Sequence, residues 1–284
     1  MDLSIIIVTW NTKNLTLECI DSIYENTPTK NFNFEIILID NASGDGTVEE
    51  VKLRFPEVRI IVNSENMGFA KANNIGIINA NSLAVLLLNS DTLVKDDAIY
   101  QVFKYLTQQE SDVAAVSCKL LNFDGSLQVN CRQFYTLDNI VKRTIAKFAV
   151  FLPEKIRGKW CIDYWKHDSI RPIEWIHMAF MMIRRPVLDQ IGLLDERFYF
   201  YGEDMEFGYR LHLNNYKIHF FSNAHIYHKG GASAENRFSD VNEKFLGALF
   251  VFYDKYGMIL EKNLMKIWFG IKKKILTLVA RRIK

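Results

Sequence analysis

The sequence is short of proline and cysteine and has no long uncharged apolar run. Five prolines in 284 residues leave no linker rich enough in Pro, Gly or Ser to divide the chain. The four cysteines, Cys19, Cys118, Cys131 and Cys161, are scattered and form no CxxC pair. Neither a zinc site nor a disulfide framework is indicated, which fits a reducing compartment. No run reaches the ~18 uncharged apolar residues of a membrane-spanning helix. The opening MDLSIIIVTWN lacks a basic n-region and a small-residue cleavage site, so it does not read as a signal peptide. No internal repeat is present, which argues against solenoids and propellers. There is no GxGxxG fingerprint, no GK[ST] phosphate loop and no GxSxG elbow, so the corresponding dinucleotide, P-loop and hydrolase readings are weak.

What is present is a globular composition: 49% hydrophobic, 24% charged and 13% aromatic residues. The length suits one large domain or two small ones at ~150 residues per domain. The net charge of +2 hides an asymmetry, because residues 262–284 carry eight Lys/Arg and no Asp/Glu. The rest of the chain carries 27 basic and 33 acidic side chains, a balance of −6. An acidic body with a basic tail argues against a nucleic-acid-binding body and for a surface-directed tail.

Along the first 117 residues, apolar strands alternate with helical stretches. Leu3–Thr9, Phe34–Asp40, Val58–Val62, Leu83–Leu88 and Val113–Ser117 read as strands. Helices are expected at Leu15–Glu25, 47–55, Phe69–Ala80 and Lys95–Gln109. The alternation implies βαβ crossovers and a mostly parallel sheet covered on both faces. Ligands of such sheets sit beyond the carboxyl ends of the strands. The polar sets there are Thr9–Asn11, Asp40–Ser43 and Asn89–Thr92. Residues 118–172 lose this regularity. Beyond them, Glu174–Arg184 reads as extended and Pro186–Ile191 as a short helix, followed by a helix over 204–214. Two short strands, Lys217–Phe221 and Ala224–His228, and a helix over Asp240–Tyr256 complete the body.

Five segments carry chemistry. In NSDT, 89–92, a carboxylate closes an apolar strand at the mouth of the sheet, where a hard cation and a diphosphate can meet; Asn, Ser, Asp and Thr are also ordinary turn residues. Asp40 can accept from a base N–H or a ribose hydroxyl, or simply cap a Gly-rich turn. Gly68 precedes a helix N-terminus, which favours anions. YGEDMEF, 201–207, opens a helix with Glu203, Asp204 and Glu206. These complement a helix dipole or supply a general base. His228 ends its strand and becomes a metal ligand if an Asp such as Asp91 faces it.

Taken in order, SIIIVTWN, EIILIDNASGDGT, ENMGFAKANNIG, LLLNSDT, MIRRPVLDQIGLLDERFYFYGEDMEFGYRL and HIYHKGGAS resemble the family 2 glycosyltransferases of the GT-A fold, in particular the bacterial rhamnosyltransferase-like branch. The likeness covers about 230 residues. It implies an α/β GT-A domain over 1–257, with a nucleotide-sugar half over 1–117 and an acceptor half over 118–257. The tail, 258–284, stands outside it. It implies a nucleoside pocket at Thr9, Asn11, Asp40 and Asn41. Gly68, Phe69 and Asn73 then border the nucleotide sugar. Asn89, Ser90 and Asp91 stand in the place of the family's DxD motif, with Asp91 as metal ligand and His228 completing the site for Mg²⁺ or Mn²⁺. Asp204 is the implied base and Glu203 its partner. Two departures stand out: Asn89 replaces the first DxD carboxylate, and His177-Met178-Ala179 stands where relatives usually carry smaller residues.

The resemblance implies an inverting, metal-dependent transfer from a nucleotide-sugar donor, with dTDP-L-rhamnose favoured and a UDP-hexose the rival. The acceptor would be a cell-surface glycan or lipid-linked saccharide, and no nucleic acid is expected. Wound as a helix, the tail gathers Leu264, Ile267, Trp268, Ile271, Ile275, Leu278 and Val279 on one side and most of its cations opposite. That pattern reads as interfacial binding to an anionic membrane through 262–284, and packing on the body or in an oligomer is the alternative. Val141–Leu152 carries a weaker version of the same signal. The expected location is cytoplasmic, peripheral on the inner face of a bacterial plasma membrane. Two other functions remain open, a nucleotidyltransferase and a non-catalytic sugar-nucleotide scaffold. The first lacks a Gly-rich basic loop near the N-terminus; the second has no use for Glu203–Asp204.

Overall fold

The computed structural model describes residues 1–199, 201–230 and 238–282, with only the backbone of 238–243 and 271–282. The first half runs β1 (Leu3–Thr9), α1 (Lys13–Asn26), β2 (Phe34–Asp40), α2 (Thr47–Arg54), β3 (Arg59–Val62), α3 (Phe69–Asn79), β4 (Ala84–Asn89), β5 (Thr92–Val94), α4 (Ala98–Gln108) and β6 (Val113–Leu121). There follow β7 (Leu127–Gln128), β8 (Cys131–Arg132), α5 (Leu137–Phe148), α6 (Glu154–Arg157), β9 (Arg171–Ile173), β10 (Trp175–Ile176) and β11 (Phe180–Arg184). The chain ends α7 (Arg185–Ile191), α8 (Glu203–Leu213), β12 (Lys217–His228), α9 (Phe238–Lys255) and α10 (Ile259–Arg282).

The main sheet has the order β3-β2-β1-β4-β11-β6-β12-β5, with β7 and β9 paired at its side. β3, β2, β1 and β4 are parallel, as are β6 and β12, whereas β11 runs antiparallel to both its neighbours. Side chains alternate across a strand, so Leu3, Ile5 and Ile7 pack on Leu17, Ile20 and Ile23 of α1, with Val102 of α4 in the same core. Ile6, Ile37 and Ile39 face the other layer, with Ala72 and Ile77 of α3 and Phe207 of α8. A third core joins Phe134, Met205 and Trp175 to Leu249 and Phe252 of α9 and Met265 of α10.

Register lines up the strand ends that matter. Thr9 pairs with Asp40, and Val8 with Asn89. The carboxyl ends of β1, β2 and β4 therefore form one row, and the antiparallel β11 starts at that same edge, Phe180 beside Leu88. The sequence reading differs in three places. The two strands expected at 217–228 are one, kinked by a register shift between Phe221 and His225. The boundary after 117 falls inside β6, and strands on both sides of it share the sheet. Residues 118–172 contain β7, β8, α5 and α6, of which the sequence suggested only a helical stretch over Val141–Leu152.

Candidate active site

Asp91 sits in the two-residue turn between β4 and β5, where the Thr92 hydroxyl donates to the Asn89 carbonyl at 2.8 Å. β5 pairs antiparallel with the end of β12, His228 opposite Thr92. This pairing carries His228 Nε2 to 3.2 Å from Asp91 Oδ1. The Nδ1 of His228 lies in hydrogen-bond contact with Gln128 Oε1, 2.5 Å away. An amide oxygen can only accept, so Nδ1 carries a proton and Nε2 is the ring atom turned toward Asp91, able to give its lone pair to a cation. A lone pair and a carboxylate oxygen facing each other, with the ring fixed from behind, suit a divalent cation. The Asn89 amide also reaches Nε2, at 3.3 Å. Among the described residues no group of three or more His, Cys, Asp or Glu could hold a metal. Protein would thus supply Asp91 and His228, leaving the remaining positions to phosphate oxygens and water.

The nucleoside-side residues divide into scaffold and open groups. The Thr9 hydroxyl is buried among Thr12 at 2.9 Å and Thr16 at 2.8 Å, and Ser90 joins this cluster through Thr12 at 3.3 Å. Asn11 accepts from the Gly44 N–H at 2.8 Å and ties two loops together. Asn41 is occupied by Asn63, Asn66 and the Gly68 carbonyl. Asp40 differs: Oδ2 accepts from the Ser43 N–H at 2.9 Å, while the buried Oδ1 has no protein partner. A bare buried acceptor beyond a strand end is a feature that a ligand donor would satisfy.

Gly68 stands at φ 76°, and a Cβ there would meet the Tyr199 ring at 2.8 Å. Tyr199 also donates to the Asn66 carbonyl at 3.2 Å. The loop 63–68 is thereby pressed against the segment leading to the acid pair. Phe69 opens α3 and packs on the second core. Asn73 is buried and bonds back to the Phe69 carbonyl. Its neighbour Asn74 clamps Leu194 from both sides, 2.9 Å each way.

Glu203 and Asp204 open α8 after Gly202, whose φ of 97° and lack of space for a Cβ against Phe198 at 2.8 Å require glycine. Glu203 is buried, and its Oε2 has no partner. Burial pushes its carboxyl far above the usual carboxylate range, and repulsion from Asp204 adds to this. Asp204 is half-buried and also raised by its surroundings, against the pull of backbone N–H groups and Arg132. The charge of Asp204 makes Glu203 harder to ionise, so the two titrations influence each other. Arg132 connects the two ends of the site. It acts electrostatically on Asp204 and on His177, and His177 in turn feels His228. The His177 ring is open to water yet crowded by protein, which with these neighbours lowers its pKa to about 4. It is therefore neutral at pH 7.

Glu206, the third acid of the segment, is not in the site. It is fully buried and pairs with Arg210 at 2.9 Å, Lys255 and Tyr256. Gln128, Arg132 and Tyr199 belong to the site but carry no motif in the sequence. A separate cavity of about 940 Å³, lined by Trp160, Arg171, Glu174, His212 and Lys217 among others, lies toward the far end of α8 and contains none of these site residues.

Comparison with known proteins identifies the family and the fold. The profile of "Glycosyl transferase family 2" matches residues 4–164, more than half of the chain. The protein belongs to glycosyl transferase family 2. An N-acetylglucosaminyl-diphospho-decaprenol L-rhamnosyltransferase of Mycobacterium tuberculosis is 25% identical over 62% of this chain and 60% of its own. A low-salt glycan biosynthesis hexosyltransferase of Haloferax volcanii is 28% identical over 76% of this chain and 64% of its own. The match thus spans about three fifths of the length of these relatives. A mannosyltransferase of Pyrobaculum calidifontis, solved with GDP-Man and Mn²⁺, superposes with TM-score 0.58 at 18% identity, covering 89% of this chain and 63% of that one. The fold is GT-A.

Proposed function

We propose that this protein is an inverting glycosyltransferase, moving a sugar from a nucleotide-sugar donor to a hydroxyl of a glycan or lipid-linked acceptor. The observation that carries the reading is the pairing of two unlike sites. Asp91 and His228 offer a carboxylate oxygen and an imidazole nitrogen 3.2 Å apart, while Glu203 and Asp204 are adjacent acids whose pKa values burial raises. Arg132 and His177 stand electrostatically between the two.

Asp40 Oδ1 accepts from the base or ribose of the donor. Asp91 and His228 hold a divalent cation, Mg²⁺ or Mn²⁺, which when bound stabilises charge on the departing diphosphate as a Lewis acid. Asp204 takes the proton of the acceptor hydroxyl, and its raised pKa suits a base working near neutral pH. The acceptor oxygen then attacks the anomeric carbon from the face opposite the leaving group. Glu203 positions the acceptor beside Asp204. The mycobacterial relative's name favours L-rhamnose as the sugar and a lipid-linked acceptor; the donor proposed is dTDP-L-rhamnose, with a UDP-hexose as the second. The tail, 262–284, rests on an anionic membrane surface on the cytoplasmic side. No described helix is long and apolar enough to cross a membrane.

Asp204→Asn tests the base. Transfer should fall ~10²–10⁴-fold while donor binding is retained. Transfer at the wild-type rate would overturn the assignment.

A further inference from the structure

Helix α5 is amphipathic in the reverse sense. Asn139 and Ala146 are its buried residues. At 100° per residue, Val141, Ile145 and Phe148 lie together on the side opposite those two, and all three are exposed. The apolar side of this helix therefore faces water. The segment that follows continues the face, with Phe148 75% and Phe151 81% exposed and Val150 beside them. Singly exposed apolar residues are ordinary, but a contiguous set at helical spacing marks a contact surface.

The charges around this face differ in sign from the rest of the body. Residues 137–160 hold six Lys/Arg and two Asp/Glu, within a body that is otherwise acidic. Lys142 pairs with Asp138, and Arg143 with Asp163. Lys147, Lys155 and Lys159 are exposed and have no carboxylate partner among the described residues. Beside this face opens the 940 Å³ cavity, to whose lining Lys142, Lys159, Arg171 and Lys217 bring positive charge and Ile145 and Trp160 apolar surface. Lys217 is balanced by Asp112 and Glu174 also faces the cavity, which leaves Lys159 and Arg171 for an anion.

We propose that the outward face of α5, continued through Phe151 to Trp160, is a membrane-contact surface that lies in the headgroup region of an anionic bilayer. Phe148, Val150 and Phe151 enter the acyl boundary, the unpaired lysines meet lipid phosphates, and the cavity mouth accepts a headgroup. An apolar face flanked by lysines and led by aromatics is the pattern of an interfacial helix. This surface is distinct from the tail and does not depend on the tail's binding. It extends the proposed function, since a lipid-linked acceptor is presented at the same interface.

The test uses the full chain and vesicles of phosphatidylcholine with or without anionic phosphatidylglycerol. The four native cysteines are all buried, so Phe151→Cys gives a single accessible thiol for an environment-sensitive fluorophore. We expect its emission to shift blue on anionic vesicles, while a label at the exposed Leu53, through Leu53→Cys, does not respond. The shift should persist when Lys272, Lys273 and Lys274 of the tail are changed to Gln, which separates this surface from the tail. The triple variant Ile145→Ser, Phe148→Ser, Phe151→Ser should weaken vesicle binding roughly tenfold or more, with circular dichroism and thermal midpoint preserved. No shift of the label, or unchanged binding of the triple variant, would overturn the proposal. So would a triple variant that turns a dimer into a monomer yet binds vesicles normally, since the face would then join two copies of the chain. Transfer assays with a water-soluble acceptor should be unaffected, so failure here is distinguishable from failure of the glycosyltransferase reading.

Discussion

At the scale of single residues, the acid pair has consequences for both activity and stability. Asp204 must be ionised to act as base, and its pKa is raised by burial. The acid limb of the kcat/KM profile should therefore lie well above the ~4 of an unperturbed carboxylate; a limb at ~4 would contradict the assignment. Stability has the opposite sign. A carboxyl whose pKa is raised in the folded state holds its proton there longer than in the unfolded chain, so stability falls as pH rises from ~4 through the raised value. Glu203, buried with an unpartnered oxygen, should show this clearly. Glu203→Gln should be more stable than wild type at pH 7.5, by on the order of 1 kcal/mol or more, and equal to it below pH ~4. Chemical denaturation at the two pH values measures the difference. A second prediction concerns Gln128, which fixes the His228 tautomer. Gln128→Ala should weaken divalent-cation binding about 10–100-fold, measured by titration in the presence of nucleotide.

The same residues show what a sequence reveals. Asp91, Glu203 and Asp204 were legible because each sits in a dense polar motif next to a strong strand or at a helix start. Gln128 was not, because it lies on a two-residue strand and acts through His228, one hundred residues away in sequence. Arg132 was hidden for the same reason: its role comes from the β8–β10 pairing, which nothing local announces. Thr9 and Asn41 were legible as site neighbours, but their hydrogen bonds show them holding walls and loops together.

At the scale of elements, helix α8 does two tasks. Its first turn carries the acid pair, and its next turn anchors the C-terminal helices through Glu206. That carboxylate, fully buried, accepts from Arg210, Lys255 and Tyr256, and Lys255 also reaches Asp195 at 2.7 Å. Removing one partner from a buried ionic cluster leaves the others unpaired. Glu206→Ala should cost about 3–5 kcal/mol, seen as a lowered thermal midpoint. A change below ~1 kcal/mol would show that the cluster contributes little. The long apolar strands β1, β2 and β4 were legible because buried parallel strands read as continuous Ile/Leu/Val runs. β5, β7 and β8 were not, being two or three residues long and defined only by their pairing. α5 was illegible as body structure because its apolar side faces outward, so its periodicity signals a surface rather than a core.

At the scale of the whole molecule, the register of the sheet explains why one edge gathers residues spread from Asp40 to His228. The row Thr9, Asp40 and Asn89 closes three parallel strands, β11 starts from that edge, and β12 delivers His228 to β5. Tyr199 then presses the acid-pair segment against the 63–68 loop. The strand-end residues and the acid pair are thus held on one framework. The central claim is that this framework binds a nucleotide sugar through a cation on Asp91. Calorimetric titration of wild type and Asp91→Ala with a panel of nucleotide sugars, with and without Mn²⁺ or Mg²⁺, tests it most directly. The account predicts that one donor binds wild type in a metal-dependent way and that Asp91→Ala loses this binding. Well-folded wild type that binds no nucleotide sugar under any of these conditions would contradict it.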